Sequence, residues 1–331
     1  MADGQGILVI GELAGSELAL VTREALSAAR SLSGALGGEP VSLVIAGTDL
    51  GDAPQQGISA GADTVYTVAS PVLEGTPPDA VVAVAERAAQ VASPRYVIGS
   101  KTLLGRDVLP RVAFRLGTAL AQDCATLEVD SQQRLVATRP VYGGSAIAKV
   151  ACLQTPAVAA LRPKSVEPLE PDASRTGEIK ALDIQLDDSV VKAKVVDRTE
   201  RPSEGIRLED AKVVVSGGRG LGGPEGFEPL KDLASLLGGA VGASRAVCDA
   251  GWLPSSYQVG LTGKTVTPDL YIAVGISGAS QHMAGCSSAR AIVAINKDAG
   301  ANIFKEARFG VAGDWQKVLP AFIDQLHELL Q

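Results

Sequence analysis

Short apolar runs recur through the first hundred residues, and most of them end in glycine or in a small polar residue. These runs are GILVIGE (6–12), VSLVIAG (41–47), TVYTV (64–68) and YVIGS (96–100). The stretches between them are rich in alanine and leucine and predict helices at 16–36, 53–61, 79–93 and 104–117. Because strands that alternate with helices are typical of βαβ units, this part of the chain is predicted to form a parallel sheet.

The pattern changes near residue 125. The segments LEVD, RLVATRP and AIAKVAC alternate apolar and polar positions, as antiparallel strands with one solvated face do. PAVAALRP, EIKALDIQL and KAKVVDRT continue this strand-rich stretch. A polar segment with proline and glycine follows at 199–211, and it predicts a boundary between two domains comprising residues 1–205 and 206–331.

The βαβ pattern begins again after this boundary. Strands are predicted at 212–216, 239–243, 270–276 and 291–298, and a final amphipathic helix is predicted at about 315–330. The predicted fold class is therefore α/β with two domains. The N-terminal domain is α/β and similar to nucleotide-binding domains, and the C-terminal domain is a doubly wound, mostly parallel sheet.

Composition narrows the classes of function. The 331-residue chain has a net charge of −7 and no run of Lys or Arg, so nothing indicates the basic face of a nucleic-acid binder. Its four cysteines and two histidines lack the spacing of a zinc or iron–sulfur site, which indicates free thiols in a reducing compartment and no metal. The N-terminus does not resemble a secretory signal, and no apolar run is long enough to span a membrane, so we expect a bacterial-type cytoplasmic location.

The second domain opens with VVVSGGRGLGGPEG. Gly218, Gly220 and Gly223 match G-x-G-x-x-G between a strand and a helix, which is the setting of the dinucleotide-binding fingerprint. In that fingerprint the helix N-terminus binds a pyrophosphate; the alternative is a tight strand–helix turn without a ligand. A nicotinamide site would carry an acidic residue after the next strand, but Ser244 and Arg245 stand there. Because arginine can bind a ribose 2′-phosphate, an NADPH-dependent oxidoreductase is an alternative function.

Polar residues and glycines also follow the third and fourth predicted strands. Ser277 and Gly278 lie at a strand-to-helix turn, which either binds phosphate or a flavin edge, or has Ser277 as a simple helix cap. His282, one turn further along, is either a ligand of the same site or a structural residue. Asn296 ends the fourth strand in AINKD, and Asp314 precedes the final helix, which it could simply cap.

The segment QVGLTGKT (258–265) comes close to a phosphate-binding P-loop. The pattern G-x-x-x-x-G-K-S/T requires a glycine five residues before Gly263, and Gln258 occupies that position. The segment lies between two predicted strands whose ends carry the other polar turns. Several such turns at the carboxyl edge of one parallel sheet predict a site for a large nucleotide.

Together these segments resemble the α subunit of electron transfer flavoprotein. VVSGGRG, VGASRA, QVG-x-TGK, LYIAVGISGA-x-QHMAG and AINKD occur in the order and spacing of that family, and the N-terminal half fits it by length and α/β pattern. The resemblance implies one FAD in the second domain and a heterodimer with a β subunit. It implies an electron carrier rather than an enzyme with its own substrate. Dehydrogenases such as the acyl-CoA dehydrogenases of fatty acid oxidation would reduce it, and a membrane-bound quinone oxidoreductase would accept its electrons. A branch of the family bifurcates electrons with a second FAD in the β subunit, and this alternative stays open.

The same resemblance implies the residues of the flavin site by position. Thr262 would lie near flavin N5, Arg245 over the isoalloxazine ring, and His282 near its O2 edge. Asn296 and Asp314 would hold the adenosine half of the cofactor. The implied cofactor-binding residues are Arg219, Ser244, Arg245, Gln258, Val259, Gly260, Leu261, Thr262, Gly263, Lys264, Ser277, Gly278, Ala279, Gln281, His282, Asn296 and Asp314.

One position departs from the family. Leu261 stands where many members carry glutamine. An apolar side chain offers the flavin no hydrogen bond, so we expect this position to alter the flavin potential without abolishing binding.

Overall fold

The computed structural model describes residues 4–142, 146–193, 195 and 206–330. These residues group into two compact units, one from the described residues of 4–141 and 147–195, the other containing 206–330. Each unit is built on its own sheet of parallel strands. The predicted class of two α/β domains is therefore confirmed.

The N-terminal part of the chain alternates strands with helices, as its pattern predicts. Its strands are β1 (Ile7–Ile10), β2 (Leu13–Ala14), β3 (Glu17–Leu18), β4 (Val41–Gly47), β5 (Thr64–Ala69), β6 (Tyr96–Ser100), β7 (Leu120–Cys124), β8 (Thr126–Val129), β9 (Leu135–Val141), β10 (Ala146–Ala151), β11 (Ala157–Leu161) and β12 (Glu178–Ala181). Its helices are α1 (Leu20–Ala35), α2 (Ala53–Ser59), α3 (Pro78–Ala92) and α4 (Leu103–Arg115), with short 3₁₀ turns at Pro71–Leu73 and Asp188–Val190.

A seven-stranded parallel sheet forms the centre of the first unit. Its strand order is β12-β5-β4-β1-β6-β11-β7. Every residue of β1, β6 and β11 is buried, as expected for central strands of a parallel sheet that helices cover on both faces. Residues of α1 and α2 belong to the apolar cluster on one face, and residues of α3 and α4 belong to the cluster on the other. A separate three-stranded sheet has the order β10-β9-β8, with β8 and β9 antiparallel as predicted.

Two features of this unit differ from the sequence-based expectation. The first helix begins at Leu20 rather than at residue 16, because β2 and β3 pair as a hairpin around Gly15, whose φ is +67°. The strands β11 and β12 return to the main sheet instead of extending the antiparallel one, and β11 lies between β6 and β7. The strand predicted in KAKVVDRT (192–199) lies largely outside the described residues.

The second unit contains a five-stranded parallel sheet. Its strands are β13 (Val213–Gly217), β14 (Ala240–Ala243), β15 (Leu270–Val274), β16 (Ala291–Asn296) and β17 (Phe309–Ala312). Its helices are α5 (Glu228–Leu236), α6 (Arg245–Asp249), α7 (Ser280–Met283), α8 (Ile303–Glu306) and α9 (Trp315–Leu330), with 3₁₀ turns at Arg219–Leu221, Pro224–Phe227 and Ser255–Tyr257. The four predicted strands and the final helix are present. The fifth strand, β17, was not predicted; all four of its residues are exposed, so it lacks the alternation that identifies a strand.

The strand order of this sheet sets the position of a ligand site. The order is β14-β13-β15-β16-β17, so the chain passes from β13 to one side and then crosses back to the other side with β15. This reversal is a topological switch point, and doubly wound sheets bind ligands outside the carboxyl ends of the strands there. Helices α5 and α9 pack on one face of the sheet, and Val259, Met283, Cys286 and Ile303 pack on the other.

The helices have no membrane-spanning character. Within the described ranges, none is both long enough and apolar enough to cross a bilayer.

Two helical glycines of the first unit predict opposite effects of alanine. A Cβ at Gly105 in α4 would overlap the Ser100 carbonyl, whereas a Cβ at Gly34 in α1 would have no atom within 4 Å. We expect Gly105→Ala to lower the free energy of unfolding by about 1–3 kcal/mol through overpacking. Gly34→Ala should raise it by up to about 1 kcal/mol, because alanine favours the helix. Guanidinium unfolding followed by circular dichroism measures both, and equal effects would contradict the packing described at Ser100.

Candidate functional site

A cleft of about 900 Å³ lies at the carboxyl edge of the second sheet. The turns after β13, β14, β15 and β16 line it, together with the segment 258–262. The cleft is therefore at the switch point that the strand order identifies.

Most of the residues that the family resemblance implies lie in this cleft. Those that line it are Arg219, Ser244, Arg245, Gln258, Val259, Gly260, Leu261, Thr262, Ser277, Ala279, Gln281, His282 and Asn296. Gly263, Lys264, Gly278 and Asp314 are not among the lining residues.

Two of these four are glycines that support the loops of the cleft. A Cβ at Gly263 would overlap the Gln258 carbonyl, and a Cβ at Gly278 would overlap the Ile303 backbone. Gly278 also has a φ of +78°, which side chains other than glycine rarely adopt. Both glycines therefore allow close backbone packing behind the cleft wall.

The other two are engaged with neighbouring groups. Lys264 Nζ lies 2.9 Å from the Glu209 carboxylate, so its charge is paired. Asp314 Oδ1 accepts a hydrogen bond of 3.1 Å from the Gln316 amide in the first turn of α9. Asp314 therefore acts as a cap of the final helix, the simpler of its two predicted roles.

The cleft also contains residues outside the implied set. They are Gly218, Gly220, Ala246, Asp249, Gly275, Ile276, Lys297, Asp298 and Ala301. Asp249 was detectable from the sequence, because it stands four residues after Arg245 and a helix brings such a pair together. Ile276, after β15, and Ala301, before α8, have no comparable signal, since apolar residues near the ends of strands and helices are usually core.

The glycine-rich turn after β13 does not act as the dinucleotide fingerprint predicts. The Gly218 amide donates to the Val274 carbonyl at 2.9 Å, and the Gly220 amide donates to the Gly275 carbonyl at 3.0 Å. These N–H groups are therefore used by the backbone and are not available to a pyrophosphate. The following helix, α5, begins only at Glu228, after two 3₁₀ turns. This removes the main structural support for a nicotinamide site.

Instead of forming a pyrophosphate-binding turn, the turn after β13 crosses closely over the turn after β15. A Cβ at Gly218 would overlap the Gly275 carbonyl, and a Cβ at Gly275 would lie 2.9 Å from the Gly220 carbonyl carbon. Gly275 has a φ of +65°. Glycine is required at this crossing for space, and at Gly275 for conformation as well.

The loop 258–265 is also not a P-loop. The Gly260 amide donates to Lys264, the Lys264 amide to Gln258, and the Leu261 amide to Gln281, at 3.1, 2.7 and 2.7 Å. A P-loop keeps such amides free for phosphate oxygens. Because these amides are bonded within the loop or to Gln281, the loop can present side chains to a ligand but cannot cradle a phosphate with them.

The turns after β15 and β16 are tied to each other. Asn296 Nδ2 donates to the Ile276 carbonyl at 2.8 Å, and Asn296 Oδ1 accepts from the Asp298 amide at 3.0 Å. Ser277 is not a helix cap, because α7 begins at Ser280 and is preceded by Ala279. The side chain of Ser277 is thus not used by that helix.

One ion pair stands at the mouth of the cleft. Arg245 Nε lies 3.2 Å from Asp249 Oδ2, and the two side chains are 66% and 63% exposed. Water screens an ion pair at such exposure, so both charges are able to respond to a ligand.

His282 is a buried polar side chain of the cleft and is 7% exposed. Its Nε2 lies 2.9 Å from the Tyr271 hydroxyl, while Nδ1 has no hydrogen-bond partner within the described ranges. Burial lowers the pKa of His282 to about 4, opposed only by a contact with the Val259 backbone, so the ring is neutral near pH 7. Ser244 Oγ, also in the cleft, is buried and has no hydrogen-bond partner among the described residues. Unsatisfied buried polar atoms are costly, so this cleft fits a polar ligand.

Comparison with known proteins identifies a family of domains for each unit. The model of the electron transfer flavoprotein domain matches residues 7–187, and the model of the electron transfer flavoprotein FAD-binding domain matches residues 207–287. The second match includes the turns after β13, β14 and β15, and the segment 258–262.

Whole relatives align over nearly the full chain. The chain is 40% identical over 330 residues to the electron transfer flavoprotein α subunit of Thermoanaerobacterium thermosaccharolyticum, covering 99% of this chain and 100% of that protein. It is 40% identical over 326 residues to the α subunit of Bacillus subtilis, covering 98% of each. It is 37% identical over 334 residues to the protein FixB of Clostridium saccharobutylicum, covering 100% of this chain and 98% of that protein.

The buried histidine predicts a specific pH dependence of stability. A pKa lowered from 6.5 to about 4 means that His282 adds stability above pH 6.5, which is lost as the pH falls towards 4. The loss is at most about 3 kcal/mol. In His282→Gln this part of the pH dependence should be absent, and in His327→Gln, which changes an exposed histidine, it should persist. Unfolding free energies measured across this range test it, and an unchanged pH dependence in His282→Gln would show that the ring is not buried and neutral.

Proposed function

Because the chain belongs to the electron transfer flavoprotein family as its α subunit, we propose that acyl-CoA-type dehydrogenases reduce its FAD and that a quinone oxidoreductase accepts the electrons. The chain is an electron-transfer flavoprotein subunit, its cofactor is FAD, and it pairs with a β subunit. The observation that carries the proposal is the cleft in the unit that matches the FAD-binding model.

The cleft fits FAD on its own geometry. Its volume, about 900 Å³, is near the upper end for cofactor pockets, and its buried Ser244 Oγ and His282 Nδ1 need polar partners. Bound flavin supplies the electron-accepting ring, and the protein supplies binding, orientation and electrostatics. Because the amides of residues 258–261 are bonded to the carbonyls of Ser255, Ala243, Lys264 and Gln281, this segment forms a firm wall rather than one that must fold around the cofactor.

The proposed cofactor-binding residues are the set that the resemblance implies, in two roles. The lining residues would touch FAD. Gly263, Lys264, Gly278 and Asp314 would support the wall, as their contacts with Gln258, Glu209, Ile303 and Gln316 indicate. We place the FAD-binding domain at residues 206–331, and a subunit-interface domain at residues 1–205.

A cytoplasmic location also belongs to the proposal. Cys124, Cys152, Cys248 and Cys286 are free, and Cys124 and Cys286 are buried. Unpaired thiols are typical of a reducing compartment. Compartment-specific thiol labelling in cells would test this.

The nature of the cofactor and its stoichiometry test the function. The chain co-expressed with its β subunit should purify as a yellow heterodimer, and acid extraction should release one FAD per heterodimer. Two FAD per heterodimer would favour the electron-bifurcating alternative. Reduction of the bound FAD by an acyl-CoA dehydrogenase with its substrate supports the proposed donor. Reduction by NADPH alone, without a dehydrogenase, would contradict it and favour the oxidoreductase alternative.

The ion pair at the cleft mouth predicts opposite shifts of the flavin potential. Reduction adds negative charge to the flavin, which a guanidinium stabilises and a carboxylate opposes. Arg245→Ala should lower the reduction potential, and Asp249→Asn should raise it. Each shift should be on the order of 10–40 mV, since both side chains are well solvated.

Potentiometric titration of the heterodimers measures both shifts. Unchanged potentials with FAD fully bound would remove Arg245 from the flavin environment. A loss of NADPH affinity in Arg245→Ala, without a potential shift, would instead assign Arg245 to a ribose phosphate.

A further inference from the structure

A turn at the start of the second unit lies beside the loop 258–265. This entry turn comprises residues 207–211. Its Leu208 is 4% exposed and belongs to the same apolar cluster as Val259 of the loop and Val266, the residue that follows the loop. The entry turn is therefore part of the packing behind the segment that forms one wall of the cleft.

An ion pair joins the entry turn to the loop. Lys264 Nζ donates to Glu209 Oε2 at 2.9 Å, and the two side chains are 30% and 35% exposed. Burial opposes ionisation of Glu209, but the hydrogen bond from Lys264 outweighs it and lowers the pKa of that carboxyl below its usual value. The carboxylate is therefore charged near pH 7, and it compensates the ammonium group of Lys264.

Lys264 also closes the loop through its backbone. Its amide donates to the Gln258 carbonyl at 2.7 Å, and its carbonyl accepts from the Gly260 amide at 3.1 Å. Gln258 and Gly260 line the cleft, whereas Glu209 does not. A displacement of Lys264 thus disturbs residues of the cleft wall, and Glu209 acts on the cleft through Lys264.

We propose that Glu209 is a positioning residue for FAD: it fastens Lys264 to the entry turn, so that the loop keeps its shape, and it cancels the lysine charge behind the cleft wall. The identity of the ligand rests on the proposed function, whereas the fastening of the loop does not. Because the pair is partly buried, water screens its charges less than it screens charges at the open surface. If either partner is removed, the charge of the other acts on the flavin.

Hydrogen exchange tests the fastening of the loop. In the heterodimer, the amides of residues 258–265 should exchange about two- to fivefold faster in Glu209→Gln than in the wild type, because loss of a partly buried ion pair makes local opening easier. Lys264→Met should have the same effect. The double variant Glu209→Gln/Lys264→Met should exchange no faster than either single variant, because the two groups act as a unit. Unchanged exchange in the single variants, or additive effects in the double variant, would overturn the proposal.

The flavin potential tests the cancellation of charge. Glu209→Gln leaves the lysine charge uncompensated and should raise the reduction potential of the bound FAD, since reduction adds negative charge to the flavin. Lys264→Met leaves the carboxylate uncompensated and should lower the potential. The double variant should return it to the wild-type value. Loss of structure alone would move both single variants in the same direction, so shifts of equal sign, or no shifts, would overturn the proposal.

The entry turn offers a matched control. Arg207 Nε lies 3.7 Å from Asp210 Oδ2, and these side chains are 66% and 67% exposed. Asp210→Asn removes the carboxylate next to Glu209 in sequence and leaves Lys264 paired. Exchange in the loop and the flavin potential should both stay unchanged, because water screens the exposed pair. Equal effects of Asp210→Asn and Glu209→Gln would reduce the role of Glu209 to the general charge of the turn and overturn the proposal.

Failure of this inference is distinct from failure of the proposed function. A wild-type heterodimer without flavin contradicts the function, yet hydrogen exchange in the loop still reports the fastening. A flavin-loaded heterodimer whose loop exchanges at the same rate with and without the Glu209 carboxylate contradicts the inference alone.

Discussion

The close crossing of two backbone turns at the switch point is the constraint on which the second unit depends. The turn after β13 meets the turn after β15 with no room for a side chain, because a Cβ at Gly218 would overlap the Gly275 carbonyl. The amides of Gly218 and Gly220 are committed to this crossing. The crossing therefore fixes the floor of the cleft and leaves recognition to the surrounding side chains.

In the neighbouring loop, too, backbone amides are already hydrogen-bonded to backbone carbonyls. The segment 258–265 has the glycine and lysine of a phosphate loop, but it turns its amides inward and pairs Lys264 with Glu209. The polar atoms left over are side-chain atoms, notably Ser244 Oγ and His282 Nδ1. A site of this kind selects a ligand by a few placed groups and by shape, and its chemistry is tuned by charges at the mouth such as Arg245 and Asp249.

The first unit shows that the doubly wound topology is not sufficient for a cleft at the switch point. Its chain also reverses direction across the sheet, between β1 and β6. There the carboxyl edge holds a cavity of only about 10 Å³ lined by Glu12, Ser100 and Gly105, among others. Glu12 accepts a hydrogen bond of 2.6 Å from Thr102, and burial raises the pKa of Glu12. The side chains and the tight packing of α4 on Ser100 thus fill the space that a nucleotide would need. The sequence-based expectation of a nucleotide-binding-like domain holds for the fold of this unit, but the described residues leave no open site at the switch point between β1 and β6; a cavity of about 650 Å³ lies instead beyond the ends of β5 and β12.

The sequence by itself determined the parallel α/β architecture, the strands that end in polar turns, and the set of segments that meet at one edge. Those features can be predicted locally, because apolar periodicity and glycine placement are visible within a single segment of the sequence. Tertiary structure decided what each turn does. The amides of a glycine turn are either free for a ligand or hydrogen-bonded to another part of the backbone. Which of the two occurs depends on a partner turn some 55 residues away, as between Gly220 and Gly275. It also decided that β11 inserts between β6 and β7 and that Tyr271 reaches His282. Each of these outcomes requires two distant segments to pack together, and hydrophobic pattern along one segment holds no information about its partner.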